Sequence, residues 1–251
     1  MVTGICMVRD EADIIGTTIA HMLEQVDHVI VADNGSVDDT REILESFDVT
    51  IVNDPVVAYY QSAKMSRLAW QAACDGADWV VRFDADESWY SPFGRIADVL
   101  EGLDAAIATA AIYDHRPSGI DPAEGSPVDR IGWRTREPIP LHKVACRPIL
   151  PVTIHQGNHA ASYRPPSTAA GQLVIRHFPI RSVEQMIRKA RNGGQAYAAT
   201  DLPEEAGDHW RSWNRLTDEH LDEVFHQYYW FAEPGANPDL IFDPVPCRLP
   251  S

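Results

Sequence analysis

"DHVIVADNGSVDDTREILESF", residues 27–47, decides the fold. Val29 to Ala32 form a short run that is apolar on both faces, as in a strand covered from both sides. The run ends at Asp33. Asn34, Gly35 and Ser36 follow as a turn signal. Val37 to Phe47 then reads as a helix, with acidic residues in its first turn, where the helix dipole favours them. A buried strand, a tight turn and a helix make one repeat of a wound α/β sheet.

The same repeat recurs on both sides. "VTGICMV" (2–8) is a buried strand, and Ala12 to Gln25 places Ile15, Ile19, Met22, Leu23 and Val26 on one helical face. "DVTIVND" (48–54) is a third strand, followed by a helix from Ser62 to Gly76 with Ala63, Leu68, Ala69, Ala72 and Ala73 as its apolar positions. "DWVVRFD" (78–84) is a fourth strand, 93–103 a helix and "AAIATAAIY" (105–113) a fifth strand. Such alternation predicts a doubly wound, mostly parallel, Rossmann-like sheet. Ligands of these sheets sit at the carboxyl ends of the strands. The polar clusters "RDE" (9–11), "DNGS" (33–36) and "DADE" (84–87) all fall there.

From Asp114 to Pro140 the chain is rich in Pro, Gly and charge and reads as a long loop. "KVACRPI" (143–149) and "QLVIRHFPI" (172–180) read as strands, and Ser182 to Thr200 as a helix carrying Arg188, Lys189 and Arg191. The last 50 residues hold the aromatic stretches "HWRSWNRL" and "FHQYYWF" on expected helices, then a Pro-rich tail. Three segments are expected: 1–113, 114–200 and a helical extension, 201–251.

The chain has 251 residues with 45% apolar content, enough for a real core. A formal charge of −16 argues against a nucleic-acid partner, which needs a basic surface. Cys6, Cys74, Cys146 and Cys247 show no paired metal-site spacing and no disulfide framework. Neither a signal peptide nor an apolar run of about 18 residues is evident, so a cytoplasmic protein without a membrane span is expected.

The acids of "WVVRFDADESW" (79–89) require an explanation, because Asp84, Asp86 and Glu87 repel one another at the end of a buried strand. An EF-hand loop starting at Asp84 would need Gly at its sixth position and Glu at its twelfth; Trp89 and Arg95 stand there. A D-x-D-x-[TV] phosphatase motif would need Thr or Val where Ser88 stands, after the first strand rather than the fourth. The glycine-rich loop of a dinucleotide-binding domain is missing after the first strand. What survives is a metal-bound diphosphate. In extended chain Asp84 and Asp86 would point the same way, about 6–7 Å apart, and hard oxygen ligands suit Mg2+ or Mn2+.

At this point the residues resemble a known family. "VIVADNGSVDDT" (29–40) followed by "GADWVVRFDADE" (76–87) is similar to the nucleotide-binding half of family 2 glycosyltransferases of the GT-A fold, and "CMVRDEADII" (6–15) resembles the first strand end of one branch. The resemblance implies a nucleotide-sugar-binding half over 1–113 and an acceptor-side half over 114–200. It implies a metal-dependent enzyme, using Mn2+ or Mg2+, that moves a sugar from a UDP- or GDP-sugar to an acceptor hydroxyl on a glycan, small molecule or protein. Carried over residue by residue, Val8, Arg9 and Glu11 would flank the nucleobase and ribose. Asp33 would accept hydrogen bonds from them, with Asn34 in its turn. Asp84 would serve ribose and metal, Asp86 would ligate the metal directly, and His177 would be a third ligand. Arg67, and more weakly Lys64, would reach the nucleotide, and Arg181 the diphosphate.

The sequence departs from the family where catalysis is concerned. No Glu-Asp pair opens a helix beyond the D-x-D; "HQGNH" (155–159) occupies a comparable place. His159, Asp114 and Glu137 are the candidate general bases, and inverting and retaining chemistry both stay open. The C-terminal helices are the expected homodimer contact. The alternatives are another metal-dependent phosphate enzyme of phosphatase type and a catalytically silent nucleotide-sugar- or glycan-binding module.

Overall fold

The computed structural model describes residues 1–148, 153–155, 158, 161–162 and 167–245. Among the described residues twelve strands and eight α-helices follow in chain order. They are β1 (Val2–Val8), α1 (Ile15–Gln25), β2 (His28–Asp33), α2 (Thr40–Glu45), β3 (Thr50–Asn53), α3 (Gln61–Cys74), β4 (Trp79–Arg82), β5 (Glu87–Tyr90), α4 (Ile96–Glu101) and β6 (Ile107–Asp114). Then come α5 (Pro127–Arg130), β7 (Trp133–Thr135), β8 (His142–Cys146), β9 (Thr153–Ile154), β10 (Ala161–Ser162), β11 (Thr168–His177), α6 (Val183–Ala198), α7 (Asp208–Asn214), α8 (Asp218–Val224) and β12 (Leu240–Phe242). Among the described residues no helix is long and apolar enough to cross a membrane.

The chain groups into two compact units. The first comprises Met1–Pro55, Tyr60–Tyr113 and Pro138–His177. Its eight-stranded sheet runs β3-β2-β1-β4-β8-β6-β11-β5. The half β3-β2-β1-β4 is parallel, whereas β4–β8, β8–β6 and β11–β5 pair antiparallel. Strand side chains alternate between faces, and the core divides accordingly. Val2, Cys6, Val8, Val29, Val31, Trp79 and Val81 pack with Ile15, Ile19 and Met22 of α1, Leu44 of α2 and Leu100 of α4. Ile5, Ile30, Ala32 and Val80 pack with Met65, Leu68, Ala69 and Ala72 of α3. Apolar residues at consecutive strand positions are therefore used on both faces, as the wound α/β reading of 1–113 requires. The order β2-β1-β4 makes β1 the point where the winding reverses, the place at which sheets of this kind bind their ligands.

Two local features differ from the expected string. The fourth strand stops at Arg82, because the chain turns at Asp84, whose carbonyl accepts the Glu87 N–H at 3.1 Å. The residues after that turn form a strand of their own, β5, against β11. The first helix begins at Ile15 rather than Ala12, and the Asp10, Glu11 and Ala12 N–H groups ahead of it bond to side chains of the β2–α2 loop and of Thr40 at the start of α2.

The second unit comprises Val56–Tyr59, Asp114–Glu137 and Phe178–Ser251. The segment expected as loop 114–140 contains the short helix α5, capped by the Ser126 side chain, and β7, which pairs antiparallel with β12. Ile180, Met186, Ala190, Leu221 and Phe225 form its core, with Trp213, Tyr229 and Trp230 against it. Gly193 and Gly194 of α6 let α7 approach closely: a Cβ on Gly193 would lie 2.8 Å from the Trp210 ring.

Candidate functional site

The three polar strand ends named from sequence lie at the carboxyl ends of β1, β2 and β4, which are neighbours in the sheet. The first two are joined by hydrogen bonds. The Asp10 N–H donates to Ser36 Oγ at 3.1 Å and the Val37 N–H to Asp10 Oδ1 at 2.7 Å. The Glu11 N–H donates to Thr40 Oγ1 and the Ala12 N–H to Asp38 Oδ2. Asp10 adopts a positive φ of 55°, a conformation that Asp tolerates better than most residues. Arg9 extends from the same turn, with Nε 3.7 Å from Asp10 Oδ2, and Val8 before it is buried in the core.

Asp33 and Asn34 are buried. Asp33 Oδ1 accepts the Ser36 N–H at 3.0 Å and closes its own turn, and its Oδ2 lies 3.8 Å from Arg41. Asn34 donates through Nδ2 to the carbonyl and to the carboxylate of Asp54, both at 3.0 Å. Lys64 bonds the same carboxylate at 2.7 Å. Arg67 lies on the exposed side of α3.

The acidic cluster is built around a lysine. Lys143, in β8, is 6% exposed, and its ammonium bonds Asp84 Oδ2 and, at 2.5 Å, Glu87 Oε1. Glu87 is fully buried; its Oε2 accepts the Asp84 N–H at 3.1 Å and the Trp89 indole N–H at 3.0 Å. Trp89 is thus a packing residue of the core. Asn158, also buried and at φ 61°, donates to Asp84 Oδ1 at 3.2 Å. Burial opposes the charge on Lys143, yet the Asp84 and Glu87 carboxylates outweigh it and hold the ammonium above its ordinary range. Burial raises Glu87, and Lys143 is the main influence opposing that rise.

Asp86 turns to a different partner. The antiparallel register of β5 and β11 sets His177 opposite Glu87, and His177 Nε2 comes within 3.8 Å of Asp86 Oδ1. Two ligand atoms each about 2.1 Å from one ion are about 3.0 Å apart when adjacent and about 4.2 Å when opposed. At 3.8 Å Asp86 and His177 stand between these two values, so a shift of under about 1 Å would bring both onto a single divalent ion. No group of three His, Cys, Asp or Glu side chains that could hold a metal occurs among the described residues. Water and substrate phosphate would complete such a shell, as they commonly do for Mg2+.

The remaining sequence candidates fall elsewhere. Arg181, Asp114 and Glu137 belong to the second unit. Arg181 is buried, with its guanidinium donating to the Phe178 carbonyl and its N–H to Gln185. Asp114 pairs with Arg116 at 3.0 Å, and Glu137 is exposed. His159 lies outside the described residues. Sequence reading gave Lys143 no place in the site, and included Asp10 in the polar cluster 9–11 without a role of its own. The available signal for Lys143 was a charged residue inside the buried strand "HKVAC", whose side chain needs an acid nearby.

Residues 5–164 match the family Glycosyl transferase family 2, and the chain belongs to it. No curated protein matches significantly. Solved structures are similar at low identity. Mannosyl-3-phosphoglycerate synthase from Rubrobacter xylanophilus is 16% identical with a TM-score of 0.43, over 86% of this chain and 76% of that one. A nucleotidyl transferase from Methanothermobacter thermautotroptrophicus is 19% identical with a TM-score of 0.34, over 59% and 72%. Glucosyl-3-phosphoglycerate synthase from Mycobacterium tuberculosis is 20% identical with a TM-score of 0.35, over 45% of this chain and 44% of that one.

Proposed function

We propose that this member of Glycosyl transferase family 2 moves a sugar from a nucleoside diphosphate sugar, a UDP- or GDP-sugar, to an acceptor hydroxyl with the help of Mn2+ or Mg2+. One observation carries the reading: a buried carboxylate and an imidazole, Asp86 and His177, stand 3.8 Å apart beside the carboxyl end of β4. A divalent ion bound there would supply Lewis-acid stabilisation of the departing nucleoside diphosphate.

The chain's own residues have the following parts. Asp86 and His177 hold the ion. Asp84, fixed by Lys143 and Asn158, faces the ribose and diphosphate side. Val8, Arg9, Glu11, Asp33 and Asn34 line the nucleoside end, and the bonds between the two loops keep that end rigid before substrate arrives. A carboxylate oxygen has room for more than one donor, so Asp33 can close its turn and still accept from a ligand. Arg67 and Arg181 are candidates for the diphosphate. His159, Asp114 and Glu137 are candidates for taking the acceptor proton, a task that needs hydrogen-bond reach to the hydroxyl.

The test is donor turnover. The protein is incubated with Mn2+ and a panel of nucleotide sugars, and products are resolved by chromatography. Release of free nucleoside diphosphate, slow to water and faster with an acceptor, is expected, with Asp86→Asn reducing it by at least about a hundredfold. Release of inorganic phosphate would point to a phosphatase, and pyrophosphate exchange to nucleotidyl transfer. Binding without turnover would point to a silent module.

A further inference from the structure

We infer that Lys143 is a positioning residue of the metal site: its ammonium sits on one oxygen of Asp84, which makes that carboxylate a poorer ligand for a divalent ion and favours Asp86 and His177. The inference rests on the proposed function and deepens it. Three fixed contacts carry it. Lys143 bonds Asp84 Oδ2 and Asn158 Nδ2 donates to Oδ1 at 3.2 Å, so a positive charge already sits at one oxygen and a neutral donor at the other. Lys143 cannot swing aside freely, because it also pairs with Glu87, a carboxylate that is 1% exposed and would be left as an uncompensated buried charge. Glu87 is itself held through Oε2 by the Asp84 N–H and the Trp89 indole. An ammonium and a divalent cation repel when they share one carboxylate oxygen, whereas Asp86 sits 3.8 Å from His177 Nε2. The D-x-D pair is therefore unequal: its first acid is tied to an internal cation and its second is turned to the external one.

Binding of Mn2+ separates this from a merely structural ion pair. Free Mn2+ is followed by electron paramagnetic resonance during titration of the full chain, with Mn2+ alone and with UDP or GDP added. With Mn2+ alone, in the native background, Asp84→Asn should change the Mn2+ dissociation constant by less than about threefold, while Asp86→Asn and His177→Asn should each raise it about tenfold or more. Lys143→Met is made together with Glu87→Gln, so that no buried charge is orphaned, and folding is checked by circular dichroism. In that double variant Mn2+ should bind more tightly, and adding Asp84→Asn should abolish the gain. Lys143→Arg keeps a cation beside Asp84 and should leave Asp84→Asn nearly silent. Equal weakening by Asp84→Asn and Asp86→Asn in the native background overturns this inference and leaves the proposed function standing. So does an Asp84→Asn effect that is the same with and without Lys143. No Mn2+ binding by the native protein under any of these conditions overturns both.

Discussion

Asn34→Ala removes one side chain from the turn at the end of β2. Asn34 Nδ2 makes two hydrogen bonds, to the Asp54 carbonyl and to its carboxylate, each 3.0 Å long, and the residue is 4% exposed. The neutral bond contributes about 1 kcal/mol and the one to a charged acceptor about 1.5–3 kcal/mol. Asp54 keeps Lys64 at 2.7 Å, so its carboxylate is not orphaned and the lower end applies. A loss of about 2–3 kcal/mol follows, or roughly 4–12 °C in melting temperature for a chain of this size. Asn34→Asp preserves the shape but sets a second carboxylate against Asp54, and should cost more than Asn34→Ala at neutral pH. Urea unfolding of the three proteins gives the ordering directly, from midpoints at constant slope. A loss below about 0.5 kcal/mol for Asn34→Ala, or an Asn34→Asp protein as stable as the native one, would refute the reasoning, since surface substitutions rarely exceed that value.

Two glycines should fail for different reasons. Gly194→Ala sits in a helix where Ala is favoured by about 1 kcal/mol, but its Cβ would overlap the Asn214 side chain, so a net loss of about 1–2 kcal/mol is expected in urea unfolding. Gly35→Ala has open space yet must hold φ at 73°, and should cost about 1 kcal/mol. Asp27 gives a pH signature: burial alone would raise its pKa, but the Val2 N–H and Arg95 outweigh that and hold it below the ordinary value. A depressed folded-state pKa stabilises above the unfolded value and is lost as pH falls. Asp27→Asn should therefore cost less than about 1 kcal/mol at neutral pH, and the gap in urea midpoint should close below about pH 3.9.

The wound half of the sheet was legible because its strands are continuous apolar runs, and Val29 to Ala32 or Trp79 to Val81 can be covered on both faces only between helix layers. The three polar strand ends were legible for the same reason. Contacts made by distant pairing were not. Lys143 reaches the acids only because β8 runs antiparallel beside β4, 59 residues away from Asp84 in the chain. β5 hides in "ESWY", where nothing local marks the turn before it. β7 lies in a Pro- and Gly-rich stretch and exists through β12, with Arg134 also bonded to Asp243, 109 residues later. Asp84 and Asp86 were expected to face one way because an extended chain was assumed; the turn at Asp84 gives them separate partners.

The most direct measurement is the melting temperature with UDP, GDP, CDP and dTDP, each with and without Mn2+, for the native protein and for Asp86→Asn. A ligand at about a hundred times its dissociation constant adds about 2.7 kcal/mol, which corresponds to roughly 5–11 °C here. The expected result is a shift with UDP or GDP that requires Mn2+ and vanishes in Asp86→Asn. No shift with any nucleotide, or an equal shift without metal and in the variant, would contradict a metal-dependent nucleotide-sugar site at Asp86 and His177.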